Sequence, residues 1–324
     1  MRFTAGVLVT TLIAASAIAG ATPHALAQGY PAGPVQVYIG FPPGGGADIL
    51  TRFYADRMSA LLKQPVLVQN KPGANGNIAA ETVARAKPDG YSLLFGPSAA
   101  IAGGKFLYKN MPYDSLKDFA MVAPLNELGF VIAVSPKSPF KTVKDLTEHL
   151  KAHPDRPYGT ANSMGIGSAL LYLNAAGATA NNVGYKTTAD GLRDLEAGLL
   201  DFMLVDSVFG ATPIRDGKLR GLAVTTTRRL PRLEDVPTMQ EAGYPNYAIT
   251  GWFMVLAPTG TPPDVIEKLN GVVSEISRTD AAKAFFANLA SVPLVDTPAG
   301  ARKKLVDDIE QWRLIAKLGN IQPQ

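Results

Sequence analysis

Apolar residues alternate with others through Val35-Gln36-Val37-Tyr38-Ile39-Gly40-Phe41, a period of two that predicts a half-buried strand. The strand runs into Pro42-Pro43-Gly44-Gly45-Gly46, where the backbone must turn, and helical spacing takes over from Ala47 to about Leu62. The cycle then repeats. Val66-Leu67-Val68 is a short strand closed by Lys71-Pro72-Gly73, residues 77–86 form a helix, and Tyr91 to Phe95 form a third strand ending at Gly96-Pro97-Ser98. Strands alternating with helices of this length indicate βαβ units and a mainly parallel sheet.

A long apolar stretch from Phe119 to Val134, interrupted by Pro124, Asn126 and Glu127, leads out of this unit. A second series follows Pro136, with a helix at 143–152, a strand around Tyr158, a helix at 168–176, a strand at 182–185, a helix at 189–197 and strands at 202–205 and 222–225. A loop rich in Pro, Arg and Thr returns the chain to a strand at 247–256 and to closing helices at 262–278, 280–289 and 299–315. The pattern is that of one α/β unit inserted in the middle of another, which suits a chain longer than one core usually serves.

At the N-terminus, Arg2 precedes an apolar run from Ala5 to about Ala21, and Ala25-Leu26-Ala27 supplies a small-x-small cleavage site, so residues 1–27 are expected to be a secretory leader. The run is rich in Gly, Ala and Ser and poor in Leu and Ile, which favours a leader over a membrane anchor. No later stretch is long and apolar enough to span a bilayer. The 324 residues contain no cysteine, which excludes a disulfide framework, a thiolate metal site and a Cys nucleophile. The formal net charge is only +4 and the basic residues are dispersed, so no nucleic-acid partner is expected.

Candidate chemistry concentrates where strands hand over to helices. Phe41-Pro42-Pro43-Gly44-Gly45-Gly46-Ala47-Asp48 exposes backbone N–H groups, unshielded by side chains, at a helix start, an arrangement that attracts anions. The same residues also read as a structural turn in which Asp48 supports the helix and pairs with Arg52 at i, i+4. The run lacks both the Gly-Lys-Ser/Thr ending of a nucleotide P-loop and the G-x-G-x-x-G spacing. Thr160-Ala161-Asn162-Ser163-Met164-Gly165-Ile166-Gly167-Ser168 offers hydroxyls and amides at a second junction, with Ser168 expected as a helix N-cap. Thr187-Thr188-Ala189-Asp190 offers a third, with Thr187 as N-cap and Asp190 reaching back. Three such loops fit the rule that α/β ligands bind beyond the carboxyl ends of strands.

Two catalytic readings fail on the sequence. Ala161-Asn162-Ser163-Met164-Gly165 has the shape of a nucleophile elbow, but that fold needs a His after its Ser, and the histidines are His24, His149 and His153. His149 and His153 stand four apart without the Glu of an H-E-x-x-H site, so a metal gives way to a cation at a helix C-terminus.

A wider likeness rests on several motifs in fixed order: Phe41 to Asp48 with Arg52, Val68-Gln69-Asn70-Lys71-Pro72-Gly73-Ala74, Lys87-Pro88-Asp89-Gly90-Tyr91, Tyr185-Lys186 and Leu222-Ala223-Val224-Thr225-Thr226. They continue with Val236-Pro237-Thr238-Met239-Gln240-Glu241-Ala242-Gly243-Tyr244, Gly251-Trp252 and Ala257-Pro258-Thr259-Gly260-Thr261-Pro262. With these the chain resembles the Bug family, the periplasmic solute receptors of tripartite tricarboxylate transporters. It departs from the family pattern in a longer segment between Tyr158 and Gly165, in Leu171 where a His is common, and in Thr187-Thr188 after Tyr185-Lys186.

The resemblance implies the type II periplasmic-binding-protein architecture of two α/β lobes joined by two crossover strands, with a ligand cleft between them. Residues 28–128 and 236–324 would form the first lobe and 129–235 the second, hinged near Phe130 and Thr250. It also implies a monomer that catalyses nothing and needs neither cofactor nor metal. Such a receptor binds a small organic carboxylate, largely on backbone N–H groups, and delivers it to the membrane permease subunits of a tripartite tricarboxylate transporter; docking on a signalling partner is the alternative. The ligand-binding residues it points to are Pro43, Gly44, Gly45, Gly46, Ala47 and Asp48 in the first loop and Ser98 after the third strand. On the second lobe they are Thr160, Ser163, Gly165, Ser168 and Asp206, to which the third donor-rich loop adds Thr187 and Thr188.

Overall fold

The computed structural model describes residues 29–323, so the expected leader, residues 1–27, lies outside the described residues. The first half of the pattern becomes β1 (Val35–Ile39), α1 (Gly46–Leu62), β2 (Val66–Asn70), α2 (Asn77–Ala84), β3 (Ser92–Pro97), the short helices α3 (Ser98–Ile101) and α4 (Gly104–Leu107), and β4 (Phe119–Leu128). The inserted unit is β5 (Phe130–Val134), α5 (Val143–Ala152), β6 (Pro157–Thr160), α6 (Ser163–Ala176), β7 (Asn181–Gly184), α7 (Thr188–Ala197), β8 (Phe202–Asp206), α8 (Ser207–Arg215) and β9 (Arg220–Val224). The chain closes with β10 (Gly251–Pro258), α9 (Pro263–Arg278), α10 (Asp280–Asn288), β11 (Ser291–Pro293) and α11 (Pro298–Leu318).

Two sheets result, one of six strands in the order β11-β4-β10-β3-β1-β2 and one of five in the order β7-β6-β8-β5-β9. In each sheet three parallel strands lie side by side, and the next strand is antiparallel and arrives from the other lobe: β10 beside β3, β5 beside β8. The two lobes therefore share one strand order, each completed by a strand that the other sends across. The single apolar stretch seen in the sequence is broken into β4 and β5 at Gly129, where an added Cβ would come within 2.9 Å of the Leu230 and Thr226 side chains.

The two crossings are laced together by Thr225, which is fully buried. Its hydroxyl accepts from the Phe130 N–H (2.8 Å) and donates to the Ile249 carbonyl (2.7 Å). Its backbone carbonyl accepts from Ile249 (3.1 Å). The segment between β9 and β10 stays with the second sheet, because Thr238 bridges to Val224 and the Met239 N–H donates to the Val224 carbonyl. The chain thus leaves that sheet nearer Thr250 than the expected boundary at 235/236. Behind the crossings α11 packs on both lobes: Ile315 lies over Gly167 of α6, and Trp312 belongs to an apolar cluster that also holds Leu94 and Tyr172.

Two local expectations are corrected. Helix α6 begins at Ser163 and not near Ser168, because the Asn162 side chain caps it by accepting from the Gly165 N–H at 2.8 Å. Ser168 sits inside the helix and donates its hydroxyl to the Met164 carbonyl. Glycines are poor helix formers and hide this start, but close packing selects them: a Cβ on Gly165 would sit 3.2 Å from the Leu204 carbonyl, and one on Gly167 would sit 3.0 Å from Ile315. Helix α8 is also absent from the sequence reading, since Gly210 and Pro213 interrupt its pattern.

Replacing the Thr225 hydroxyl by a methyl strands a buried N–H and leaves a buried carbonyl short of a donor, so Thr225→Val should cost about 1–3 kcal/mol of folding stability. Chemical denaturation checks this; an unchanged midpoint and slope would show that the crossings do not depend on it.

Candidate functional site

The carboxyl ends of β1, β3, β6 and β8 face each other between the lobes and enclose a cavity of about 340 Å³. The first lobe contributes Phe41, Gly46, Ala47 and Leu50 around the start of α1, and Pro97, Ser98 and Ala99 after β3. Asn126, Leu128, Trp252 and Phe253 form the floor, and Leu289 and Ser291 close one side. The second lobe contributes Asn162, Ser163 and Met164 at the start of α6, and Asp206, Val208 and Phe209 at the start of α8.

The turn after β1 is shaped by backbone constraints that glycine meets. Gly44 has φ +80°, in the left-handed region, and a Cβ on Gly40 would lie 2.2 Å from the Gly76 Cα, so the loops after β1 and β2 touch backbone to backbone. Gly45 begins α1 without a side-chain cap. The first-turn N–H groups of a helix have no intrahelical acceptor, and here Gly46 and Ala47 carry them on the cavity wall. The positive end of the helix dipole adds to their pull on an anion.

Asp48, one residue further, is turned away from the cavity. Its Oδ2 accepts from the Gly44 N–H (2.9 Å) and from Arg52 Nε (2.9 Å), and its Oδ1 accepts from Asn70 Nδ2 (2.8 Å), which also donates to the Phe41 carbonyl (3.0 Å). Burial acts to raise the Asp48 pKa, but the bonds from Arg52, the Gly44 amide and Asn70 outweigh it and hold the carboxyl down to about 2. The carboxylate is therefore a permanent brace of the turn, and the Arg52 pairing foreseen from i, i+4 spacing is part of it.

Asp206 has the opposite environment. It is the N-cap of α8, its Oδ1 accepting from the Phe209 N–H at 3.2 Å, and it is the one ionisable side chain among the described residues that line the cavity. Burial pushes its pKa up to about 6, against the pull of the Phe209 and Val208 amides. Beside it Phe209 is 58% exposed, a large apolar side chain without cover. The remaining polar groups are mostly engaged: Asn126 donates to Ser291 Oγ and accepts from the Phe253 N–H, while Ser98 Oγ accepts from the Trp252 N–H.

Of the residues expected to bind ligand, Gly46, Ala47, Ser98, Ser163 and Asp206 come together on the cavity wall. Pro43, Gly44, Gly45 and Asp48 shape and brace the turn behind it. Thr160 is buried with its hydroxyl given to Asn182 Oδ1, and Gly165 and Ser168 lie within α6. Thr187 and Thr188 stand off the cavity, because they follow β7, the edge strand of the second sheet, and the Thr187 hydroxyl caps α7 by accepting from the Asp190 N–H. The nucleophile-elbow serine, Ser163, reaches the cavity without a histidine, since His149 pairs with Asp201 at 2.9 Å and His153 stacks on His149. Leu128 and Phe253 were not foreseeable as wall residues, because an apolar strand position reads the same whether it faces a core or a cavity, and Phe209 was missed with helix α8.

Two α/β lobes of matching strand order, crossed twice, with an amide-lined cavity at the strand ends, define a type II periplasmic solute-binding protein. A family model described as tripartite tricarboxylate transporter family receptor matches residues 50–320. The protein BugT of Bordetella pertussis is 34% identical over 300 residues, covering 91% of this chain and 92% of that one. Among solved structures, an R. palustris protein with adipate is 31% identical with TM-score 0.78, covering 91% of this chain and 100% of that one. The periplasmic binding protein BugD is 29% identical with TM-score 0.74, covering 91% and 100%. MatC of Rhodopseudomonas palustris, with bound malate, is 28% identical with TM-score 0.72, covering 88% and 99%. The chain belongs to the tripartite tricarboxylate transporter receptor family, a family of periplasmic solute-binding receptors and not of enzymes. Among the described residues no helix is long and apolar enough to cross a membrane.

The two acids predict opposite pH profiles. The folded pKa of Asp48, about 2, lies below the ordinary 3.8, so its stabilising contribution is present above the ordinary range and is lost as pH falls from about 4 towards 2. That of Asp206, about 6, lies above 3.8, so its contribution is complete at lower pH and is lost as pH rises through about 6. Measured by denaturant unfolding, the advantage of wild type over Asp48→Asn should shrink on acidification, and Asp206→Asn should gain on wild type between pH 4 and 7. Differences that stay flat across these ranges would contradict the two environments.

Proposed function

We propose that this protein is a periplasmic receptor that captures a small organic carboxylate in the cleft between its lobes and delivers it to the membrane subunits of a tripartite tricarboxylate-type transporter. Residues 1–27 serve as the cleaved leader, and the mature protein acts as a monomer whose lobes close about the crossings at Phe130 and Thr250. The observation that carries the reading is the uncapped start of α1, with Gly46 and Ala47 on the cavity wall and no Lys, Arg or His among the described lining residues. A carboxylate held there replaces the missing cap, and backbone donors need no dedicated arginine. Ser98 and Ser163 add hydroxyls from either side, and closure buries the ligand against α6 and α8.

Ala47→Asp separates this role from folding. An acid in the first turn suits the helix dipole, worth about 0.3–1 kcal/mol, so the variant should fold at least as stably. Its carboxylate would occupy the anion position and repel a second one. Titration calorimetry with a carboxylate that binds wild type should show no binding to Ala47→Asp, and wild type at 100 times the dissociation constant should gain about 2.7 kcal/mol of apparent stability. Undiminished binding by the variant, or a wild type that takes only neutral sugars or cations, would contradict the reading.

A further inference from the structure

The cavity is built unevenly. Its first-lobe wall offers a helix start that no side chain caps, whereas the helix starts on the far wall are already capped, α6 by Asn162 and α8 by Asp206, and Asp206 is the one ionisable group among the described lining residues. A second carboxylate on the ligand would find no cation there and would meet a like charge. The polar side chains on the floor are already bonded, with both ends of the Asn126 amide engaged by Ser291 and Phe253. What remains for the ligand's body is apolar, with aromatic rings set among aliphatic side chains such as Leu50, Leu128 and Met164. Phe41 and Phe253 meet edge to face with ring centroids 6.4 Å apart, and Phe209 stands exposed on the opposite lobe. A volume of about 340 Å³ is at the small end of ligand pockets, which run roughly 300–1,000 Å³.

Resting on the reading that the cleft takes a carboxylate, we propose that this receptor selects an aromatic monocarboxylate bearing a hydrogen-bond donor at the end remote from its acid, such as a hydroxy- or amino-substituted ring acid, over a dicarboxylate. The acid group sits on the Gly46 and Ala47 amides and the ring lies between the Phe41/Phe253 pair and Phe209. The remote hydroxyl or amine donates to Asp206, which lines the cavity from the second lobe while its Oδ1 caps α8. At neutral pH Asp206 is mostly ionised, since its pKa is raised only to about 6, and an ionised acceptor favours a neutral or cationic donor over a second acid.

The test is calorimetry at neutral pH on the intact mature chain with benzoate, para-hydroxybenzoate, terephthalate and adipate. Para-hydroxybenzoate should bind tightest, and terephthalate, which puts a second carboxylate in place of the hydroxyl, should bind at least about tenfold more weakly, the factor that one charge-assisted hydrogen bond supplies. Asp206→Asn keeps a good N-cap residue and should erase most of the advantage of para-hydroxybenzoate over benzoate. Phe209→Ala, at an exposed position, should weaken both ring monocarboxylates without lowering thermal stability. The proposal is overturned if adipate or terephthalate binds wild type as tightly as para-hydroxybenzoate, or if Asp206→Asn affects benzoate and para-hydroxybenzoate alike; in either case carboxylate binding itself stands. If none of the four binds, the carboxylate reading fails and the ligand class with it.

Discussion

The structure turns on where the Asp48 carboxylate points. An acid in the first turn of a helix commonly caps that helix or occupies the space where an anion would sit. Here Gly44, with its left-handed backbone, brings its N–H back onto Asp48, and Arg52 and Asn70 hold the carboxylate from the other side. The negative charge is kept behind the turn, and Gly46 and Ala47 stand on the cavity wall at a helix start that no side chain caps. The same residues that make the turn rigid thus leave it electrostatically positive in front.

That cradle gains its meaning from topology. Each lobe completes its sheet with a strand sent from the other, which fixes the carboxyl ends of β1 and β3 opposite those of β6 and β8. Thr225 ties the two crossing segments to one another with side-chain and backbone bonds, so the lobes are joined at a hydrogen-bonded waist. In the proposed function, the amides of the first lobe take the acid and the apolar wall of the second lobe, with Phe209 uncovered, takes the rest of the molecule.

Much of this was legible in the chain. Short apolar runs located most of the strands, Pro and Gly marked the β1–α1 turn, and the i, i+4 spacing of Asp48 and Arg52 announced the brace. Long-range pairing was not legible, because β10 enters between β3 and β4 from a distant part of the sequence and no local pattern records it. Helix α6 concealed its first turn because Gly165 and Gly167 answer to close packing and not to helix propensity. Hydroxyl-rich loops misled for a related reason: Ser168 and Thr187 satisfy backbone groups nearby, and Thr187 follows an edge strand one position away from the cleft. Asp206 was visible as a strand end, but its capping of α8 depends on a helix that Pro213 and Gly210 disguise.

The central claim concerns two backbone N–H groups, and a crystal structure of the protein with a bound carboxylate tests it most directly. The account predicts carboxylate oxygens at about 2.9 Å from the amide nitrogens of Gly46 and Ala47, with Asp48 still bonded to Gly44 and Arg52. A carboxylate held elsewhere in the cleft by side chains, with those two amides left to water, would contradict it.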